Sequence, residues 1–77
     1  MTQLPVVDFE TMDRLLRKLG FELVRQKGSH VFYRHPDGRT TTLPSHASRD
    51  LARPLVREIL RETEITVEQF RENLESL

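Results

Sequence analysis

The chain has 77 residues, 36% of them hydrophobic and 31% charged, with 12 Lys+Arg balancing 12 Asp+Glu and no cysteine. That length suits one small domain over residues 1–77 with little core to spare, and the composition is that of a globular chain, neither disordered nor membrane-spanning. Disulfides and thiolate metal sites are excluded, and a chain with no cysteine, no long apolar run and no signal-like stretch in Met1-Thr2-Gln3-Leu4-Pro5 is expected in the cytoplasm. The balanced charge is unevenly spread: Arg14 to Arg61 carries eleven Lys+Arg against four acids, and the two ends together carry one Arg against eight acids. A basic middle is either a solvated surface or a patch suited to a polyanion.

Residues 8–19 read as a helix with both ends marked. Asp8 is a good N-cap, Val7 and Met12 fit a hydrophobic staple, and Glu10 suits the positive end of the dipole. Phe9, Met12, Leu15, Leu16 and Leu19 form one apolar stripe, and Gly20 ends the helix. Phe21–Gln26 alternates weakly but is rich in strand formers. Lys27-Gly28-Ser29 is a tight connection to a second strand, His30–His35. Pro36-Asp37-Gly38-Arg39 is a turn, because Pro presets φ and Gly accepts a positive φ. Thr40–Leu43 is the third strand, stopped by Pro44, and short connections make the three an antiparallel meander.

Ser45–Arg53 reads as an irregular connection. Pro54 suits the first position of a helix that buries Leu55, Val56, Ile59 and Leu60. Thr66 with Gln69 fits a capping box, Ile65 with Phe70 a staple, and Val67, Phe70, Leu74 and Leu77 continue a last helical stripe. The order predicts an α+β fold, with helices on one face of a three-stranded sheet and the other face open to a ligand or partner. Phe32 and Tyr33, adjacent on a strand, must point to opposite faces, one to core and one to solvent.

Few residues carry chemistry. His30 and His35 are five apart on one strand and point apart, so they do not chelate together, and no further ligands complete a metal set. Ser29 and His30 diverge as neighbours, no Gly-x-Ser-x-Gly elbow is present, and the isolated glycines form no phosphate loop. What remains is His30 after a glycine turn, with Lys27 before it, Arg39 in the next turn and His46 in a polar loop. An imidazole titrates near pH 6.5, which suits proton transfer near neutrality. Cleaving RNA needs little more, because the 2′-hydroxyl is the nucleophile and the protein adds a proton acceptor, a proton donor and cations for the phosphorane.

Gly28-Ser29-His30, Tyr33-Arg34-His35-Pro36-Asp37-Gly38-Arg39, Thr42-Leu43-Pro44-Ser45-His46, Leu51 and Arg57-Glu58-Ile59-Leu60, at these spacings, resemble the HicA (YcfA-like) toxin family. Leu19 to Lys27 is similar to the family's lead-in to Gly-Ser-His, and the resemblance covers about residues 9 to 70. It implies a fold like the double-stranded RNA-binding domain, to which the helix read from Thr66 onward is an additional C-terminal one, and a metal-independent mRNA interferase without cofactor, the toxin of a type II pair. The partners it implies are mRNA and a HicB-like antitoxin that covers the active face, with no membrane. The family's active histidine maps onto His30, with Lys27, Gly28, Ser29, Arg39 and His46 as the residues expected to meet RNA. The chain departs from the family pattern at Pro54-Leu55, where many members have Gly-Thr, at Glu64, where many have Gly, and in its acidic ends. The alternatives are a non-catalytic RNA-binding module on the same face, or a domain that binds only the antitoxin.

Overall fold

The computed structural model describes residues 3–45 and 49–77, with the order α1 (Phe9–Lys18), β1 (Glu22–Lys27), β2 (His30–Arg34), β3 (Thr40–Pro44), α2 (Arg53–Thr63) and α3 (Val67–Glu75). The strands form one antiparallel sheet in the order β1-β2-β3, as a meander with short connections requires. Helix, three-stranded sheet and helix, followed by one more helix, make the expected α+β, double-stranded-RNA-binding-domain-like architecture.

The helix ends follow their local chemistry. The Asp8 carboxylate accepts the Thr11 N–H at 2.9 Å, and the Thr66–Gln69 capping box is complete, each side chain accepting the other residue's backbone N–H. Gly20 after α1 has φ +97°, and a Cβ there would stand 2.9 Å from His35 Nε2, so both backbone and packing demand glycine. Helix α2 starts at Arg53, one residue earlier than expected, with Ala52 as its N-cap and Pro54 inside the first turn, where its missing N–H costs nothing.

One core joins the layers. Val31, Tyr33 and Leu43 from the sheet meet Met12, Leu15 and Leu16 of α1, Val56, Ile59 and Leu60 of α2, and Phe70 of α3, so all three helices lie on one side of the sheet. Leu4 and Leu51, outside the predicted elements, are also buried there, and the Leu51 N–H donates to the Val7 carbonyl at 2.8 Å. Leu51, just before α2, is therefore tied to the start of the chain. The cover is incomplete: every residue of β1 is exposed, so the helices shield β2 and β3 and leave β1 as an uncovered edge.

Strand boundaries shift by one residue from those expected. β1 begins at Glu22 and reaches Lys27, β2 ends at Arg34, and Pro44 is the last residue of β3 and not its stop signal. Proline is tolerated there because β3 is an edge strand and the next ladder bond to β2 is donated by the Ser45 N–H.

Between α2 and α3 the chain turns through Glu64, with φ 57° and ψ 36°. This left-handed C-cap is where glycine is favoured, since a side chain there costs roughly 1–2 kcal/mol. Glu64→Gly should therefore stabilise the fold by about 1 kcal/mol, after allowance for glycine's extra unfolded-state entropy, and raise Tm by about 4–8 °C. Thermal unfolding followed by circular dichroism checks this; a fall in Tm would show that the Glu64 side chain supports the turn.

Candidate functional site

Opposed residues of an antiparallel pair share a face, so the register assigns the open side of the sheet. On β2, His30, Phe32 and Arg34 alternate with the buried Val31 and Tyr33. Lys27 of β1 lies opposite His30, Arg25 opposite Phe32, and Glu22 opposite Arg34; on the other flank stand Pro44, Thr42 and Thr40. The face thus has His30 at one end, an aromatic ring in the middle and three cations along it, with Glu22 as the acid in this register.

A conflict of parity had to be resolved to build it. Phe21 is buried and Lys27 faces outward with His30, yet they are an even number of residues apart and would share a face on a regular strand. The ladder slips between Leu23 and Arg25, leaving Val24 as an extra, 56% exposed residue of a β-bulge. That bulge lets Phe21 enter the core while Arg25 and Lys27 reach the open face. It also explains why the alternation of this segment is weak.

The turn before His30 is held on both sides. Gly28 has φ +59° with nothing within 4 Å of where a Cβ would stand, so the backbone, not crowding, selects glycine. The Gln26 side-chain amide donates to the Gly28 carbonyl at 3.3 Å, and the Ser45 N–H to the Ser29 carbonyl at 2.6 Å, which extends the β2–β3 ladder past His30. His30 is exposed at this end, and the open space above Gly28 leaves it approachable. Lys27, Gly28, Ser29 and His30 are brought together as the sequence suggested. His46 lies outside the described residues.

Arg39 is not brought to His30. Its carbonyl accepts the His35 N–H at 2.8 Å, which sets it at the far end of β2, five residues or about 16 Å of strand from His30. Its guanidinium grips the Asp37 carboxylate at 2.8 Å and the Thr63 carbonyl at 2.5 Å, and lies 5.1 Å from the Phe21 ring centroid. His35 closes the same turn: its Nδ1 accepts the Asp37 N–H at 3.1 Å and its ring meets Phe21 edge-on. These three residues latch the turn to the core and to the end of α2.

The basic middle of the chain is likewise divided by the fold. Arg25, Lys27 and Arg34 join the His30 face, whereas Arg17 pairs with Asp13, Arg53 donates to the Leu4 carbonyl and Arg61 pairs with Glu58. Of the Phe32–Tyr33 pair, the structure turns Phe32 to this face. Arg25 and Arg34 were not singled out from sequence: Arg34 follows His30 and Phe32 at the spacing i, i+2, i+4, readable only once Tyr33 is known to point inward, and Arg25 joins them through its pairing with Phe32 across the bulge. Among the described residues, no three His, Cys, Asp or Glu side chains gather at one point.

A family profile described as the HicA toxin of bacterial toxin–antitoxin systems matches residues 9–65, which include α1, the whole sheet and α2. The chain belongs to the HicA toxin family. It is thus a toxin of a toxin–antitoxin system, a class paired with an antitoxin. The match ends before α3, which lies outside the matched residues and is anchored by the buried Phe70. No curated protein matches the chain. Among the described residues, no helix is long and apolar enough to cross a membrane.

The latch has a pH signature. The hydrogen bond from Arg39 holds the Asp37 carboxyl down to about 2, below the ordinary 3.8. A lowered carboxyl stabilises the fold above its ordinary value and loses that contribution as pH falls through the lowered one. Asp37→Asn should therefore lower Tm at neutral pH, with the gap from the parent constant above about pH 5 and closed near pH 2. Melting curves across this range check it; a gap independent of pH would mean that the charge of Asp37 is not what holds the turn.

Proposed function

We propose that this toxin is a metal-independent endoribonuclease that cleaves mRNA in the cytoplasm through His30 and is neutralised by a HicB-like antitoxin. The observation that carries the reading is the register pair Lys27–His30 at the end of an open sheet face, with a cation directly across from an exposed imidazole. His30 accepts the proton of a ribose 2′-hydroxyl. The 2′-oxygen bonds to phosphorus, the bond to the 5′-oxygen breaks, and that leaving oxygen takes a proton from solvent, which has free access here. Lys27 opposes the negative charge that builds on the phosphorane oxygens. Gly28 and Ser29 hold the turn open to the backbone of the strand, and Arg25 and Arg34 continue the cationic track. Arg39, engaged in its latch, is left out of the contact set.

An open face has no lid, so neutralisation requires something to cover it. An antitoxin with acidic groups over Lys27 and Arg25 would do so, charge complementarity setting encounter and register while buried contacts supply tightness. Helix α3, on the other side of the sheet with Glu68, Glu72 and Glu75, stays outside that contact.

His30→Ala should reduce RNA cleavage by about 10²–10⁴-fold and relieve growth arrest while the domain stays folded, since the side chain is exposed and outside the core. Cleavage should persist in EDTA. Activity within about threefold of the parent, against that general acid–base range, overturns the role of His30; loss of activity in EDTA overturns the metal-independent chemistry. If the variant binds RNA as the parent does and neither cuts it, the protein is an RNA-binding module and not a nuclease.

Electrostatics gives a second check. Affinity for single-stranded RNA should fall with salt by about 0.7 log units per log unit of salt for each phosphate neutralised. Lys27→Glu should flatten that slope by about one contact for every RNA sequence tried, whereas Arg39→Gln should leave the slope and cost stability instead. Filter-binding titrations at several salt concentrations measure it, and an affinity independent of salt would favour a partner that is protein alone.

A further inference from the structure

We propose that Arg25 and Phe32 form a stacking subsite for one base of a single-stranded RNA, next to the phosphate held at His30. This rests on the ribonuclease reading for the identity of the polymer and adds where a base is received. Phe32 is turned away from the core that holds its neighbours Val31 and Tyr33, and the Arg25 guanidinium lies 4.8 Å from its ring centroid. A lone surface phenylalanine carries no message. This one shares its face with His30, two residues and about 7 Å along the strand, within reach of one nucleotide of a splayed-out strand.

The surroundings suit a nucleotide better than a protein anchor. A depression of about 440 Å³ borders Phe32; besides the buried Tyr33 and Thr41 beneath it, its lining is Val24, Arg25, Arg34, Thr40 and Thr42, so that two open-face threonines and two cations ring the aromatic side chain. Single-stranded RNA is held in this manner, with bases stacked on aromatic rings or guanidinium planes, hydroxyls at base edges or 2′-hydroxyls, and cations along the backbone. An apolar protein anchor would instead be expected to sit among apolar neighbours, of which this depression has mainly Val24. The bulge contributes as well, because it keeps Arg25 over Phe32 while Phe21 stays in the core.

The test is binding in the His30→Ala background, where RNA stays intact, using a short fluorescein-labelled single strand and the same strand with an abasic nucleotide moved along it. Phe32→Ala should weaken binding of the intact strand by about 5- to 150-fold, the range for loss of one stacked base, and Phe32→Trp should restore it. With Phe32 present, one abasic position should cost a comparable factor; after Phe32→Ala, the same abasic position should cost less than about twofold. Circular dichroism confirms that each variant is folded. Phe32→Ala binding within about twofold of the Phe32-containing parent overturns the subsite alone. Unchanged RNA affinity with lost antitoxin affinity also overturns it and assigns the ring to the protein partner. Absence of any RNA binding by the parent overturns both this subsite and the ribonuclease reading.

Discussion

The Tyr33 hydroxyl donates to the Asp13 carboxylate at 2.5 Å from a ring only 1% exposed, and this contact between β2 and α1 decides which way the central strand faces. Side chains on a strand alternate, so a slip of one residue would drive His30 and Phe32 into the helices and turn Tyr33 to water. The core resists that slip twice, through the apolar fit of Val31 and Tyr33 and through a hydroxyl that would lose its acceptor. Burial, reinforced by this bond to Asp13, pushes the Tyr33 phenol above its ordinary range, which keeps the hydroxyl protonated as a donor. Asp13 is in turn held by Arg17, one turn further along α1. A residue with no part in the proposed chemistry thus sets the direction of every residue that has one.

The same logic passes from β2 to its neighbours. The two-residue turn at Gly28-Ser29 ties Lys27 to His30, and from there the register runs back along β1. Coming the other way, Phe21 must enter the core directly after α1. The two requirements disagree by one residue, and Val24 absorbs the difference. An exposed edge strand is where such an adjustment disturbs least, because every residue of β1 is exposed and the bulged residue displaces nothing from the core. The bulge also interrupts the flat edge that would otherwise offer a template for unwanted strand pairing.

The two ends of the β2–β3 ladder have become different in kind. At one end His30, Lys27 and the glycine turn are exposed and open above. At the other, His35, Asp37 and Arg39 spend their hydrogen-bonding capacity on one another, on Thr63 and on the face of Phe21. Each end carries a histidine and a cation, and composition does not separate them. What separates them is whether the polar groups have partners among the described residues: those that do stiffen the fold, and those that do not face the open side of the sheet.

Local chemistry determined much of this protein from sequence alone. The Asp8 cap, the Thr66–Gln69 box, the glycine after α1, the Pro-Asp-Gly turn and the order helix, three strands, helix, helix depend on neighbours a few residues apart, and so they could be read directly. The motif around Gly28-Ser29-His30 pointed to the family for the same reason, being contiguous. The faces could not be read in this way. Phe32 and Tyr33 are both aromatic strand formers, and only contact with Asp13, twenty residues away, assigns Tyr33 to the core and Phe32 to the open side. Arg39 looked like a free cation beside the motif until α2 brought the Thr63 carbonyl to it, and the bulge at Val24 exists only because core and hairpin make opposite demands on one strand. Sequence sets what each segment forms, whereas the direction a side chain faces is decided by packing between segments, since burial and partner bonds are properties of the assembled core.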